Sequence, residues 1–426
     1  GTGMLQNPQK LQASFYNNIL CLPAGHYLQL HIPTAKLTMK RWYWPQQQIK
    51  EASEQIFSPE KFLALLTTSV QQRLRSHVTV GASLSGGIDS AAIVALAAPH
   101  SPLTAYTAVF ENFEKNEAQR AKKLLQHIPN TKGLEVAPTV ADFHQYFSAF
   151  IHQQDEPVQS ASAFVQYCVY KAAQQHGTTV LLDGQGADEL LGGYTRHTQW
   201  YVALQAKQHV WQALQQGKQL YNNGFLPSWL NPSLLAGFFP NYTSQYLSKK
   251  ALQQIQQVPI EPGFLHKHQN RSSIEKPVIQ QWQQLLYYDT FINGLSTLLR
   301  YADRNSMAFG REVRLPFLQH QLVAYCLAMP NDVKIHQGFT KWILRKAVEP
   351  ILPTGYGWQP GKIGYEPPQK QWMLHPTSQA MVAQAKEKLI AAQVLSPKAL
   401  HQKWAAVSAH ENDWNWRVLN AAAILP

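Results

Sequence analysis

One stretch limits what this chain can fold into more than any other: Ser83-Leu84-Ser85-Gly86-Gly87-Ile88-Asp89-Ser90. A β-favouring run, Val78-Thr79-Val80-Gly81-Ala82, precedes it, and a helix former, Ala91 to Ala98, follows. A strand, a glycine turn and a helix in that order build an anion site. The glycines let backbone N–H groups approach a phosphate closely, and the helix start adds partial positive charge. Ser85 and Ser90 supply hydroxyl donors, and Asp89 is placed to hold a magnesium ion against the same phosphates. Ser-Gly-Gly alone is also an ordinary turn; the full string between strand and helix is the stronger signal. It is not a Walker loop, because the spacing differs and no lysine follows the glycines.

The rest of the chain supplies the sheet that such a loop needs. Ser58 reads as an N-cap with Pro59 at the first helical position, and Phe62, Leu63, Leu65, Leu66 and Val70 form an apolar helical face. Leu103 to Phe110 reads as a second strand, Glu117 to Ile128 as a helix, and Leu134 to Val136 as a short third strand. Phe143 to His152 and Phe164 to His176 read as helices, and Thr178 to Leu182 as a buried strand. Strands alternating with helices imply an α/β fold, a parallel sheet covered on both faces, with its ligand beyond the C-terminal strand ends.

The last of those strands runs into Asp183-Gly184-Gln185-Gly186-Ala187-Asp188-Glu189-Leu190-Leu191-Gly192-Gly193-Tyr194. The glycines permit close backbone approach, and Asp188 is placed to share a magnesium ion with Asp89. The plainer reading is a glycine turn capped by Asp183. From 198 to 276 the composition turns to Gln, Trp, Tyr and Leu, with few acids. This is an α-helical insertion whose aromatics pack between helices; a lid over the cleft and a Gln-rich surface element both fit it. A third string runs from Leu298 through Asp303, Arg304 and Met307 to Phe309, and on through Glu312-Val313-Arg314 to Leu318. Lys341 and Arg345 read as surface charge. Lys362, between Gly361 and Gly364, sits in an ordered loop, where it either reaches the cleft or is exposed. Residues 376–423 read as closing helices, with Trp414, Trp416, Val418 and Leu419 packing the sheet.

At 426 residues the chain has room for two or three domains. The formal net charge of +12 suits a polyanionic ligand. Without a dense Lys/Arg run, a basic surface around an ATP cleft explains it better than nucleic acid does. Cys21, Cys168 and Cys326 are widely spaced, which argues against a disulfide framework or zinc site and for a reducing, cytoplasmic setting. No apolar run is long enough to span a bilayer and no signal peptide is visible. Gly1-Thr2-Gly3 ahead of Met4 reads as a remnant of cloning.

Taken with their order, the three strings resemble the synthetase half of the asparagine synthetases. The first resembles the pyrophosphate loop of the ATP-pyrophosphatase superfamily, the second the signature SGEGADELFGGY, the third LRxxDRxSMAxxxExRVPFLDH. Residues 1–50, with Leu22-Pro23-Ala24-Gly25-His26-Tyr27-Leu28 and Tyr43-Trp44, resemble the last strands of that family's glutaminase domain. They would be a remnant hairpin ahead of a synthetase domain at 51–426. The resemblance implies an adenine-nucleotide α-hydrolase-like fold and two cofactors, ATP and Mg2+. It implies nucleotide contacts from Ser83, Leu84, Ser85, Gly86, Gly87, Asp89, Ser90, Val109, Asp183 and Gly184, and metal contacts from Asp89 and Asp188. Catalytic roles fall on Lys362, Gln185 and Asp303.

The implied reaction adenylates a carboxylate, of aspartate or of a peptide, and releases pyrophosphate; ammonia or an amine then displaces AMP. Three departures matter. The N-terminal cysteine that releases ammonia from glutamine is absent, so ammonia would come from a separate glutaminase. Gln185 stands where the family pattern has Glu, and Gln319 where it has Asp, which weakens the case for free aspartate. Ammonia-dependent asparagine formation is the first expectation. The second is a specialised amide ligase, such as a lasso-peptide macrocyclase or a β-lactam-synthetase-like enzyme. The third is a non-catalytic nucleotide-binding relative. A tRNA-modifying adenylating enzyme lacks the second and third strings. A homodimer is consistent with this picture; a membrane or nucleic-acid partner is not expected.

Overall fold

The computed structural model describes residues 12–425 apart from 112, 114–117, 227–237, 257, 269–276, 362–365 and 410–412. An antiparallel hairpin comes first, β1 (His26–His31) paired with β2 (Lys36–Arg41). Its alternation puts Leu28, Leu30, Leu37 and Met39 on one face, and all four are exposed. The main sheet follows: β3 (Val80–Ser83), β4 (Leu103–Ala108), β5 (Thr131–Val136), β6 (Val180–Leu182) and β7 (Glu312–Arg314). All five strands are parallel, in the order β5-β4-β3-β6-β7, so the strand that feeds the Ser-Gly-Gly loop is central.

Both faces of the sheet are buried, and the period of two sorts its side chains between two cores. Leu103, Ala105, Val180 and Leu182 pack with Phe62, Leu66, Ile93 and Leu344. Tyr106, Ala108 and Leu181 pack on the other face with Phe143, Phe150, Phe164 and Trp416. The helix Pro59–Leu74 begins as its sequence dictates: Ser58 Oγ accepts from Lys61 N at 3.2 Å, with Pro59 in the first turn. Trp416 belongs to the same core as Tyr106 and Leu181, its ring centroid 5.8 Å from that of Phe143.

Two strands exceed the sequence reading. β5 starts three residues earlier, at Thr131, because an edge strand tolerates the polar Thr-Lys-Gly run that hides it. β7 is three residues within the third string, recruited by pairing with β6. The insertion is helical as expected, with helices Thr195–Gln208, Val210–Asn222, Pro240–Gln256 and Pro262–His268. Its aromatics divide. Tyr201 is buried against Trp282, whereas Trp211 is 84% exposed and Tyr242 71%, so packing between helices accounts for only part of them. Among the described residues no helix is long and apolar enough to cross a membrane.

Candidate active site

The loop after β3 is held by its own hydroxyls. Ser90 Oγ accepts from Ser85 N at 3.2 Å and donates to Gly87 O at 3.2 Å, while Ser85 Oγ accepts from Gly87 N at 3.3 Å. Gly86 sits at φ +77°, in the left-handed region that glycine enters without strain. Its carbonyl accepts from buried Tyr356 Oη at 2.8 Å, which pins the turn from the far end of the sequence. Gly87 then caps the helix Ile88–Ala97 and places Asp89 in its first turn.

The second string leaves β6, the neighbour of β3, and arrives beside that turn. Ser83 hydrogen-bonds the Asp183 carboxyl. Burial pushes Asp183 up to about 6, against the opposing hydrogen bonds from the Gly184 and Gln185 backbone and from Ser83. Gln185 Oε1 is buried and has no hydrogen-bond partner among the described residues. Asp188, in the short helix Ala187–Leu191, faces Asp89 across one ammonium group. Lys341 Nζ lies 2.5 Å from Asp89 Oδ2 and 2.7 Å from Asp188 Oδ1.

Burial alone would lower the Lys341 pKa. The charges of Asp188 and Asp89 and their hydrogen bonds more than offset it, so the ammonium is held above its ordinary value. Gly193 makes room for this triad: a Cβ there would overlap Asp188 Oδ1 and Lys341 Cε. Arg345, one turn further along the helix Trp342–Val348, is buried too. Its Nε donates to Thr340 O at 2.7 Å, its Nη1 donates to Gly357 O, and burial lowers it to about 10.

Lys341 and Arg345 correct the sequence reading, which took them for surface charge. For Arg345 the spacing held the signal. Residues 344, 345 and 348 share one face of the helix, and Leu344 and Val348 make that face apolar. A cation on a buried face must have partners. Lys341, in a left-handed conformation just ahead of the helix, carries no such signal.

The other expected residues divide. Ser83, Leu84, Ser85, Gly86, Gly87, Asp89, Ser90, Asp183, Gly184, Gln185 and Asp188 gather at the C-terminal ends of β3 and β6. Val109 follows β4 at the same edge, its N–H bound to Val136 O at 2.8 Å. Asp303 lies exposed on the helix Leu295–Met307, and no hydrogen bond or ion pair joins its side chain to the Lys341 cluster. Arg304 beside it pairs with Asp155 at 3.0 Å. Gln319 caps the helix His320–Ala328, its side chain accepting from Leu322 N at 2.8 Å. Lys362 lies outside the described residues. Gly361, just before it, donates its N–H to Asn223 O at 2.6 Å, at the end of the insertion helix Val210–Asn222.

The family model for asparagine synthase matches residues 61–425. The chain belongs to the asparagine synthase family. Among curated relatives, a putative glutamine-hydrolyzing asparagine synthetase of Mycobacterium bovis is 30% identical over 322 residues, 74% of this chain and 49% of that one. The glutamine-hydrolyzing asparagine synthetase 1 of Bacillus subtilis is 28% identical over 323 residues, 72% of this chain and 49% of that one. The chain thus spans about half the length of the curated relatives it matches. A solved structure of NMN synthetase from Francisella tularensis overlaps 32% of this chain and 59% of its own, at 20% identity and a TM-score of 0.24. The asparagine synthase match includes all three strings and the Lys341 helix.

The donor set fits the divalent cation that the resemblance implies. Asp89 and Asp188 carry hard oxygen ligands that converge on one point, already filled by a cation. No group of three or more His, Cys, Asp or Glu side chains able to hold a metal occurs among the described residues. Two carboxylates completed by phosphate oxygens and water is how magnesium is ordinarily held beside a nucleotide.

Proposed function

We propose that the chain forms amide bonds at the expense of ATP, activating a carboxylate as its acyl-adenylate and passing the acyl group to ammonia or an amine. The observation that carries this reading is the junction of the Ser85–Ser90 turn with Asp188 and Lys341 at the C-terminal edge of the sheet. In this reading the turn's N–H groups and the Ser85 and Ser90 hydroxyls grip the pyrophosphate of ATP. The substrate carboxylate attacks the α-phosphorus, the bond to the bridging oxygen breaks, and pyrophosphate departs. The amine then adds to the acyl carbon, loses a proton and expels AMP.

Asp89 and Asp188 would hold magnesium, which when bound neutralises charge on the phosphates. Lys341 and Arg345 add positive charge close to the leaving group, as the loop lysine Lys362 does in the family pattern. The site lies where a parallel sheet ordinarily takes its ligand, beyond the strand ends.

Two acceptors remain in play, and Gln185 favours one of them. A neutral amide cannot take a proton as the family's carboxylate can, and its buried Oε1 awaits a hydrogen-bond donor. Such an oxygen suits an amine already carried by a larger substrate, as in a specialised amide ligase, more than free aspartate with ammonia from a separate glutaminase. The hairpin within residues 1–50 is then a unit apart from the synthetase domain of 51–426. Three free thiols, with Cys168 and Cys326 buried, suit the reducing cytoplasm.

Exchange of labelled pyrophosphate into ATP tests the reading. Exchange should appear with magnesium and a carboxylate substrate and vanish in Asp89→Asn. Exchange with aspartate alone, followed by asparagine on adding ammonia, would select the simpler acceptor. If neither aspartate nor a panel of amino-acid derivatives and peptides with side-chain carboxylates supports exchange, adenylation is refuted.

A further inference from the structure

The Lys341 side chain is delivered with effort. Its backbone sits at φ +53°, a left-handed conformation that side-chain-bearing residues rarely adopt, immediately ahead of the helix Trp342–Val348. Its ammonium is 5% exposed by residue and lies between carboxylates from two different segments, and Gly193 has no side chain to obstruct it. Two partly buried carboxylates this close repel one another unless a cation stands between them. Nζ is nearly equidistant from the two oxygens, at 2.5 and 2.7 Å, whereas magnesium sits about 2.1 Å from its ligands. A divalent ion fits the same point if the acids close by a few tenths of an ångström.

We infer that the Lys341 ammonium is a resident stand-in for the divalent cation, holding Asp89 and Asp188 in register until magnesium arrives with nucleotide and takes its place. The inference rests on the proposed function above, because it assigns the cation position to that reaction. It has a consequence of its own. Among the described residues the pair offers two side-chain ligands, and its position is already filled. Metal alone should therefore bind poorly, and nucleotide phosphates should supply both the missing ligands and a new anionic partner for the displaced ammonium. Order of binding is thereby built into the site, since a bare divalent ion cannot arm it.

Manganese serves as the probe, its free and bound forms counted by electron paramagnetic resonance. The wild-type chain should take up Mn2+ weakly without nucleotide and at least about tenfold more tightly with ATP present. In Lys341→Met and Lys341→Gln the carboxylates lose their cation, so Mn2+ alone should bind about tenfold more tightly than to wild type. Mn2+ alone should also raise the melting temperature of these variants while leaving that of wild type unmoved. A folded variant with no gain in nucleotide-free Mn2+ affinity would overturn the inference. So would wild-type protein that binds Mn2+ equally well with and without ATP, a result that needs no variant to fold. Equilibrium dialysis of labelled ATP on the same samples separates the two claims: failure to bind ATP sinks the proposed function, whereas ATP binding without the manganese pattern sinks only the stand-in role.

Discussion

Lys341 with Asp89 and Asp188, and Asp289 with His197 and Arg196, are two buried acid–base clusters with different wiring. In the first, two carboxylates share one ammonium whose side chain is 6% exposed, and the three residues come from segments far apart in sequence. In the second, one carboxylate oxygen receives both partners: His197 Nε2 at 2.6 Å and Arg196 Nη2 at 3.0 Å, the arginine side chain being 52% exposed. Trp282 Nε1 closes this second cluster by donating to His197 O at 2.8 Å, so it ties the helix Thr195–Gln208 to the helix Trp282–Phe291. In the first cluster two acids share the Lys341 ammonium, and the charge of buried Arg345 also acts on Asp89. In the second, acid and guanidinium balance, and water reaches the guanidinium rather than the carboxylate. The difference separates the cluster that takes a ligand in the proposed function from the one that braces the fold.

Substitutions can break that contrast. The largest effect should come from Asp89→Asn, which removes a charge aimed at the phosphate site; kcat/KM should fall by about 10³-fold or more, about 4 kcal/mol, with the melting temperature little changed. Gly193→Ala should come next, because the added methyl wedges Asp188 from Lys341. A loss of about 10²-fold in kcat/KM, about 2.7 kcal/mol, is expected, and circular dichroism should show intact helices.

Asp289→Ala should invert the pattern. Urea unfolding should show a loss of about 2–4 kcal/mol, since it strands a buried imidazole and a guanidinium, while kcat of the folded enzyme stays within about twofold. If Asp289→Ala instead abolishes activity at unchanged stability, the division between the two clusters is wrong.

Acidity sharpens the contrast further. Asp183 is raised by burial from 3.8 to about 6, so its folded form prefers the proton. Its contribution to stability is full below the unfolded value and is lost as pH rises through about 6. Asp183→Asn should therefore stabilise the protein at pH 7.5 by about 1–3 kcal/mol, and the gain should shrink away by pH 4. Thermal melts across that range read this directly. His197 behaves oppositely. Burial lowers it, though the hydrogen bond and charge of Asp289 partly restore it, so its contribution fades as pH falls below 6.5. A melting temperature that drops below pH 6.5 in wild type, and whose pH dependence changes in Asp289→Ala, would support the bracing role.

The same comparison shows what the sequence made legible. The β3 turn was readable because strand, glycines and apolar helix each signal locally and agree. Asp188 was readable because it stands in a glycine-rich string at a strand end. Lys341 was not, since its meaning lies in partners about 150 and 250 residues away and in a left-handed backbone angle that no composition reveals. β7 escaped for a similar reason: Glu-Val-Arg carries almost no strand signal, and pairing with β6 creates it. Gln319 was weighed as a mark of altered substrate choice, yet its side chain has a structural task at a helix start. Asp303 is assigned to the chemistry by resemblance alone, and its exposed carboxylate makes no hydrogen bond or ion pair with the Lys341 cluster.

The hydrogen bond from Gly361 to the Asn223 carbonyl ties the segment just ahead of Lys362 to the last turn of an insertion helix. Gly338 packs against the same helix, close enough that a methyl there would collide with the Gln219 backbone. Changes of sequence within that glutamine-rich helix would therefore be felt at Gly361, the residue that leads into the loop. On the proposed function, a bulkier acid could be accepted by remodelling this distant scaffold while the Ser85–Ser90 turn stays unchanged.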